Sequence, residues 1–271
     1  MTTTDALTAA TLRLRAAGCV FAEEEAAILA EAAAETAATA EEETLAALVE
    51  RRAAGEPLEQ VVGYADFCGV RVHLRPGVFV PRVRSELLVR LGATIVRPDS
   101  LVVDLCCGSG ALGLALRHRV PGIILHAADL DPVATACAVD NLGEKSIVHQ
   151  GNLFDPLPAQ LRGNIDLLLA NVPYVATHHI PFLPAEARDH EPATALDGGV
   201  DGLAVFRAVT RAAPAWLAPA GVLLSEITEA QAETALAIAA GNGLTATITT
   251  DDDLDARVIV ARQARPRQGK R

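Results

Sequence analysis

The stretch that most constrains the fold lies at residues 165–174. Ile165-Asp-Leu-Leu-Leu-Ala170 has five apolar residues in six, and Asn171-Val-Pro-Tyr174 follows at once. A short apolar run that ends in a turn signal is typical of a strand buried on both faces of a parallel sheet. Pro173 ends the strand because it lacks a backbone N–H and disfavours helical angles at the preceding residue. The chain is therefore expected to leave the sheet at a carboxyl strand end, where open α/β sheets bind ligands.

The four residues after this strand offer groups that suit a planar amine or amide. Asn171 has a side-chain oxygen and Val172 a backbone carbonyl, and both accept hydrogen bonds. Tyr174 adds a flat face with a polar tip. Two acceptors beside a flat wall can hold an NH2 group, so Asn171, Val172, Pro173 and Tyr174 are the candidate catalytic residues.

A second signal is a strand followed by a glycine-bearing turn and a helix. Residues 101–105 are apolar except for Asp104, Gly108 and Gly110 follow, and residues 111–117 form a helical run. The glycines let a ligand approach the backbone, and the helix N-terminus supplies free N–H groups. Gly113 keeps a dinucleotide fingerprint formally open. Asp104 favours a cationic amino acid ligand over a pyrophosphate.

Asp129 ends the next predicted strand, about twenty residues after the glycines. An acid at that distance suits the two hydroxyls of a ribose. Asp129 could instead cap a helix, because Pro132 is a plausible first-turn residue. We favour the ribose role, since strand, loop, helix, second strand and acid fall in register.

Composition restricts the classes of protein and partner. The 271 residues are 51% hydrophobic and carry a formal charge of −11, which excludes a disordered chain and speaks against direct nucleic-acid binding. No signal peptide or membrane-length apolar run is evident, so we expect a soluble, cytoplasmic protein with no membrane contact. The five cysteines lack CxxC spacing, and His178, His179 and His190 match no standard ligand set, so no metal is predicted.

The sequence divides into four predicted segments. Residues 1–60 are rich in Ala and Glu and predict a helical substrate-recognition domain, although a helical cap that only packs on the main domain is an open alternative. Its helices are expected over 5–17 with Thr4 as cap, from Glu23, and from Glu41. Residues 61–84 predict a β-hairpin linker, and residues 85–262 an α/β domain whose first helix is capped by Ser85. Residues 263–271 predict a basic, disordered tail.

Several motifs occur together in an order that resembles one known family. Gly63-Tyr-Ala-Asp-Phe67, Val80-Pro-Arg82 with Ser85-Glu86, Asp104-Leu-Cys-Cys-Gly-Ser-Gly110, Asn171-Val-Pro-Tyr174, Glu191-Pro-Ala-Thr-Ala-Leu-Asp-Gly-Gly199, Ser225-Glu226 and Gln231 follow one another. This order resembles class I S-adenosylmethionine-dependent methyltransferases, and most closely the protein-(glutamine-N5) methyltransferases of peptide-chain release factors. The resemblance implies a Rossmann-like seven-stranded sheet, S-adenosylmethionine as cofactor, and a protein substrate whose glutamine amide nitrogen is methylated.

The resemblance also implies which residues form the site. Cofactor contacts are expected from Asp104, Cys106, Gly108, Gly110, Asp129, Leu130, Asn152, Leu153 and Asn171. Substrate contacts are expected from Phe79, Pro81, Arg82, Glu86, Asn171, Tyr174 and Glu191.

The chain departs from the family pattern at three places. Val172 replaces a proline, Cys106-Cys107 replaces Gly-Thr, and Asn152 replaces an acid, so the chain is read as a divergent paralogue. Two alternatives stay open at this point. One is a nucleic-acid exocyclic amine methyltransferase acting on N6 of adenine or N4 of cytosine. The other is a non-catalytic cofactor-binding protein.

Residues 191–202 are expected to form a flexible loop over the substrate, and Glu226 is read as structural.

Overall fold

The computed structural model describes residues 3–36 and 44–263 of the chain. The helices are α1 Thr3–Ala16, α2 Ala22–Thr36, α3 Leu45–Ala53, α4 Leu58–Val62, α5 Glu86–Ile95, α6 Ala111–Arg119, α7 Pro132–Leu142, α8 Ala185–His190, α9 Ala193–Leu196, α10 Ala204–Trp216 and α11 Ala232–Gly241. The strands are β1 Tyr64–Phe67, β2 Val70–His73, β3 Leu101–Leu105, β4 Ile124–Asp129, β5 Ser146–Gln150, β6 Ile165–Ala170, β7 Leu217–Glu226, β8 Leu244–Asp251 and β9 Ala256–Gln263.

Seven strands form one sheet in the order β5-β4-β3-β6-β7-β9-β8. The first five are parallel to one another, whereas β9 is antiparallel to both β7 and β8. The predicted α/β class with a seven-stranded Rossmann-like sheet is therefore confirmed. The last two strands form an antiparallel pair, with β9 inserted between β7 and β8.

The strand order creates a ligand-binding crevice at the centre of the sheet. From β3 the chain moves first towards β4 and β5 and then back to β6 on the other side, which makes β3 and β6 the switch point. Leu105 pairs with Ala170 in the parallel register. The glycine loop after β3 and the Asn171 turn after β6 therefore start side by side at the carboxyl edge, where such folds bind ligands.

Alternate side chains of the central strands pack against helices on the two faces of the sheet. Val102 and Leu167 contact the cluster that contains α5, α6 and α7, while Val103 and Leu168 contact the cluster with α10 and α11. Burial on both faces explains why β3 and β6 read as nearly continuous apolar runs. Packing on both faces holds these two strands, whose carboxyl ends carry the site.

The chain divides into two compact units, residues 1–64 with 183–190, and residues 65–182 with 191–271. In the first unit, Leu14, Leu29 and Leu48 form the helical core. Arg52 is buried there and its guanidinium donates to Glu25 at 2.7 Å and to Glu186 at 2.6 Å. A buried guanidinium needs such partners, because an unpaired buried charge is strongly destabilising.

Three local predictions need correction or lie outside the described residues. Thr4 lies inside α1 and does not cap it, because the helix already begins at Thr3. The described part of the third helix begins after Thr44, whose hydroxyl accepts from the Ala47 N–H, while Glu41 lies outside the described residues, as does the tail beyond Gln263. Ser85 precedes α5 but its side chain makes no capping hydrogen bond.

The predicted hairpin is present as a two-stranded sheet of β1 and β2, which turns at Cys68 and Gly69. Both turn residues have positive φ, at 51° and 82°. Within the part of the chain that the structure describes, no helix has the length and apolar character needed to cross a membrane.

Candidate active site

The loop after β3 turns sharply through three residues with positive φ. Cys106 has φ of 54°, Gly108 of 54° and Gly110 of 76°. A Cβ on Gly108 would meet nothing within 4 Å, whereas one on Gly110 would lie 3.1 Å from Leu142. Gly108 therefore leaves open space beside the backbone, and Gly110 permits close packing of the start of α6.

Gly113 serves the packing of helix on strand. A Cβ there would lie 2.9 Å from Leu125 Cδ2 and 3.3 Å from Asp104 Oδ2, so any other residue would have to displace the buried Leu125 side chain. Its N–H donates to Asp104 Oδ2 at 3.0 Å. The third glycine of the fingerprint is thus structural here, and it also holds the acid that the sequence singled out.

Asp104 is completely buried at the end of β3, and only one of its oxygens is satisfied. Oδ2 accepts from Gly113, whereas Oδ1 is buried without a hydrogen-bond partner. Burial raises the pKa of this carboxyl to about 7. Unsatisfied buried acceptors are rare and costly, so an orphaned carboxylate oxygen fits a site that awaits a donor such as an ammonium group.

Asp129 closes the glycine loop at the end of β4. Its Oδ2 accepts from the Gly108 N–H and its Oδ1 from the Asp131 N–H, both at 2.9 Å. Burial raises the pKa of this carboxyl. Asp131, not Asp129, caps the following helix, since its side chain accepts from the Val133 N–H. Both Asp129 oxygens keep lone pairs for hydroxyl donors, because a carboxylate can accept about four hydrogen bonds.

Three more of the expected cofactor contacts lie directly after β4 and β5. Leu130 is 58% exposed directly after Asp129. Asn152 is exposed in the loop after β5, and Leu153 beside it has φ of 48°. Whether these residues contact a cofactor stays a prediction.

Asn171 directly follows β6, and only the nitrogen of its side-chain amide has a hydrogen-bond partner. Nδ2 donates to Ser85 Oγ at 3.1 Å, and Oδ1 is buried without a partner. Val172 and Pro173 are buried directly after it. Among the described side chains, Asp104 Oδ1 and Asn171 Oδ1 are the two buried polar atoms without partners, and they lie at the carboxyl ends of the adjacent strands β3 and β6.

Glu226, at the end of β7, organises the other side of this turn. Its Oε1 accepts from Tyr174 Oη at 2.8 Å and from Arg84 Nε at 2.9 Å. Its Oε2 accepts from Ser85 Oγ at 2.7 Å. The Tyr174 oxygen in turn accepts from the Arg84 guanidinium at 2.7 Å. Burial raises the pKa of Tyr174, and the nearby Glu226 carboxylate raises it further, so the phenol stays a donor.

Sequence reasoning missed Arg84 and gave Ser85 and Glu226 other roles. Ser85 was expected to accept from a backbone N–H as the cap of α5, but its oxygen accepts from Asn171 Nδ2 and its proton goes to Glu226. One signal could have pointed to Glu226: it is an acid at the end of an apolar strand that neighbours the Asn171 strand.

The residues predicted to bind substrate form a second group of contacts. The Arg82 guanidinium donates to both oxygens of Glu191 at 2.7 Å and lies 5.1 Å from the Phe79 ring centre. Glu191 also accepts from the Val80 N–H at 3.0 Å and is buried. Pro81 and Glu86 are half-buried nearby in sequence. Glu191 therefore anchors Arg82 and the start of the 191–202 loop; substrate contact by this group stays a prediction.

The cysteines and histidines form no second reactive centre. Burial raises the pKa of Cys106 and of Cys107 above that of a free thiol, so neither is a reactive thiolate. Within residues 3–36 and 44–263, no group of three or more His, Cys, Asp or Glu side chains could hold a metal ion.

The sheet order and the carboxyl-edge site define a class I S-adenosylmethionine-dependent methyltransferase. Residues 69–187 match the Methyltransferase small domain family. The 16S rRNA N2 G1207 methyltransferase of T. thermophilus, solved with AdoMet and guanosine, has a TM-score of 0.54 and 19% identity over 74% of this chain and 49% of that one. This likeness supports the fold.

Curated relatives narrow the class to one family. The release factor glutamine methyltransferase of Geobacter sulfurreducens is 36% identical over 76% of this chain and 72% of its own length. The chain belongs to the release factor glutamine methyltransferase family. A relative named for another substrate, the 4-amino-L-phenylalanine/4-methylamino-L-phenylalanine methyltransferase of Streptomyces pristinaespiralis, is 39% identical over 66% of this chain and 63% of its own length.

Proposed function

We propose that this enzyme transfers a methyl group from S-adenosylmethionine to the side-chain amide nitrogen of a glutamine in a protein, with a peptide-chain release factor as the candidate substrate. The observation that carries the proposal is the buried, unpartnered Asn171 Oδ1 at the switch point of the sheet. An acceptor in this position suits an N–H of the incoming amide.

The residues around the glycine loop fit S-adenosylmethionine. Asp104 Oδ1 would take the cationic amino group, Asp129 the ribose hydroxyls, and Gly108 leaves backbone space beside them. Cys106, Gly110, Leu130, Asn152 and Leu153 complete the proposed cofactor site. When bound, the cofactor supplies a methyl group on sulfur that is activated by its positive charge.

Asn171 and Val172 would orient the amide nitrogen and stabilise the charge that develops on it. The nitrogen is a poor nucleophile because its lone pair is delocalised into the carbonyl. Asn171 Oδ1 and the Val172 carbonyl would each accept one amide hydrogen and hold the nitrogen in a single orientation. The same two oxygens would stabilise positive charge that develops on the nitrogen. Tyr174 would wall the slot and exclude water. The helical unit of residues 1–60 is proposed to recognise the protein substrate.

A second candidate substrate shares the same chemistry. The Streptomyces pristinaespiralis relative is named for 4-amino-L-phenylalanine, whose amine is joined to a flat ring. Two acceptors beside the Tyr174 ring would suit that amine as well. A nucleobase amine is less favoured, because the formal charge of −11 opposes contact with phosphates.

The test is a mass measurement on candidate substrates. The purified protein is incubated with S-adenosylmethionine and its host's release factors, and intact and peptide masses are read. One added methyl on a glutamine supports the proposal. Methylation of 4-amino-L-phenylalanine alone favours the second candidate, and transfer to neither, with cofactor bound, contradicts both.

Asn171 is expected both to contact the cofactor and to bind the acceptor, and Asn171→Ala tests which of these two roles dominates. Loss of an electrostatic contact at a reacting centre typically costs about 100-fold or more in turnover. We expect that loss, with the dissociation constant for S-adenosylmethionine unchanged within about threefold. Asn164→Ala is the matched control, because Asn164 is exposed and donates only to nearby carbonyls. An equal loss of turnover and cofactor affinity in Asn171→Ala would argue against this division of roles.

A further inference from the structure

The chemistry of the Asn171 amide does not by itself determine which way its oxygen faces. An asparagine amide can rotate by half a turn and exchange its oxygen for its NH2 group, and its neighbours decide which way it lies. If the NH2 group faced the incoming substrate, it would repel an N–H donor. The proposed reaction therefore requires a neighbour that forces the oxygen into the slot.

Ser85 is the neighbour that touches this amide, and Glu226 fixes the direction of its hydrogen bond. A serine hydroxyl has one proton to donate. Because an ionised carboxylate can only accept, the 2.7 Å bond between Ser85 Oγ and Glu226 Oε2 uses that proton. Ser85 Oγ can then only accept from Asn171, which must turn its NH2 group towards Ser85 at 3.1 Å. The Asn171 oxygen is left facing away and unpartnered.

The other oxygen of Glu226 is held in the same way. Oε1 accepts from the Arg84 guanidinium at 2.9 Å and from the Tyr174 phenol at 2.8 Å. The Tyr174 oxygen accepts from Arg84 as well, so its single proton goes to Glu226. Glu226 is 3% exposed and Ser85 is also 3% exposed, so water does not compete for these bonds. One carboxylate thus orients both Asn171 and Tyr174.

We propose that Ser85 and Glu226 are positioning residues for the acceptor site. Asn171 donates to Ser85 and Ser85 donates to Glu226, and these two hydrogen bonds turn the Asn171 oxygen towards the substrate amide. The inference rests on the proposed function. It adds two residues, on elements far apart in sequence, that act on the reaction only through Asn171 and Tyr174.

Ser85→Ala removes the acceptor that holds the amide. The Asn171 side chain is then free to rotate, and misplacement of this kind can cost about 100-fold in rate. We expect turnover number to fall by roughly 10- to 100-fold, with the dissociation constant for S-adenosylmethionine unchanged within about threefold. Ser85→Thr keeps the hydroxyl and is expected to retain most of the activity. Ser100→Ala is a control for lost burial and hydrogen bonding, because Ser100 is also buried and accepts only from the Arg97 N–H.

Glu226→Gln reverses the direction of the bonds without changing the size of the side chain. Arg84 and Tyr174 both donate, so the amide oxygen of the variant must face them and its NH2 group must face Ser85. Ser85 then accepts from that group and donates its proton to Asn171, which turns its oxygen away from the slot. We expect turnover to fall as in Ser85→Ala while the melting temperature stays close to that of Ser85→Thr.

A measurement without substrate tests the same bonds. In protein labelled with 15N, the side-chain amide protons of Asn171, identified by their absence in Asn171→Ala, should show a through-space contact with the β protons of Ser85. Glu226→Gln should abolish that contact. Retained turnover within about twofold in Ser85→Ala, equal inactivity of Ser85→Ala and Ser85→Thr, or an unchanged contact in Glu226→Gln would each overturn the proposal. If wild-type protein methylates no release factor, the proposed function fails, and the contact and its loss in Glu226→Gln still decide this inference.

Discussion

Asp104 should limit the stability of the free enzyme, and its removal should make the protein more stable and less able to bind cofactor. The carboxyl is fully buried, and burial raises its pKa from 3.8 in the unfolded chain to about 7. The folded state therefore binds more protons than the unfolded state between these values, and stability falls as pH rises through that window. A shift of this size corresponds to about 4 kcal/mol above pH 7, as an upper estimate.

Asp104→Asn replaces the titrating group with a neutral one of the same shape. Its amide oxygen can still accept from the Gly113 N–H, but its NH2 group takes the place of the unpartnered oxygen and costs about 1–3 kcal/mol. The net expectation at pH 8 is a gain of about 1–3 kcal/mol in the free energy of unfolding. Between pH 5.5 and pH 8 the advantage of the variant over wild type should grow by about 2 kcal/mol.

The assay follows Trp216 fluorescence during urea unfolding without cofactor. Trp216 is the single tryptophan of the chain, is buried, and lies in the unit of residues 65–182 and 191–271, so it reports on the unit that holds Asp104. Titration calorimetry should show S-adenosylmethionine bound about 10- to 100-fold more weakly by the variant, since a charge-assisted hydrogen bond contributes about 1.5–3 kcal/mol. A variant that is less stable than wild type at pH 8, or whose stability difference is the same at both pH values, would refute the reasoning.

Two further predictions concern the glycine loop and the sheet edge. Cys106 has φ of 54°, a backbone conformation in which a β-branched side chain is strained. Cys106→Val should therefore be less stable than Cys106→Gly by about 2 kcal/mol in the same urea assay, although valine buries more surface. A Cys106→Val variant that is the more stable of the two would contradict this explanation. His126 Nδ1 and His149 Nε2 lie 2.9 Å apart, burial lowers the pKa of both rings, and each therefore resists protonation in the folded state. Stability should fall as pH drops below 6.5, and His149→Gln should reduce that fall in melting temperature; an unchanged pH dependence would show that the pair does not contribute.

Much of the fold and the centre of the site could be predicted from local patterns. The apolar runs that form β3 and β6 are short and show no helical period, and a Gly or a Pro follows each of them closely. These features predict strands that are buried on both faces of a sheet. Once two such strands are placed in a parallel sheet, their carboxyl ends must meet. Asp104 was therefore identified as an acid near the end of one strand and Asn171 as the residue that follows the other, and each carries an unpartnered oxygen.

Patterns that depend on distant partners were not predictable. Ser85 reads as a helix cap because Ser before a helix usually is one. Its actual partner, Glu226, lies 141 positions away in the chain. Residues 183–190 belong with residues 1–64, where Glu186 pairs with Arg52, a partner 134 positions away in the chain.

Periodicity and the positions of glycine and proline predicted the class of fold and the strand ends that carry the chemistry, and the ordered motifs resembled one family. Which way the Asn171 amide faces, and which side chains make it do so, depends on contacts that form only in the folded chain. The physical reason is that a hydrogen bond has a direction, set by whether each partner can donate or accept, and that direction here is imposed by a buried carboxylate from another strand.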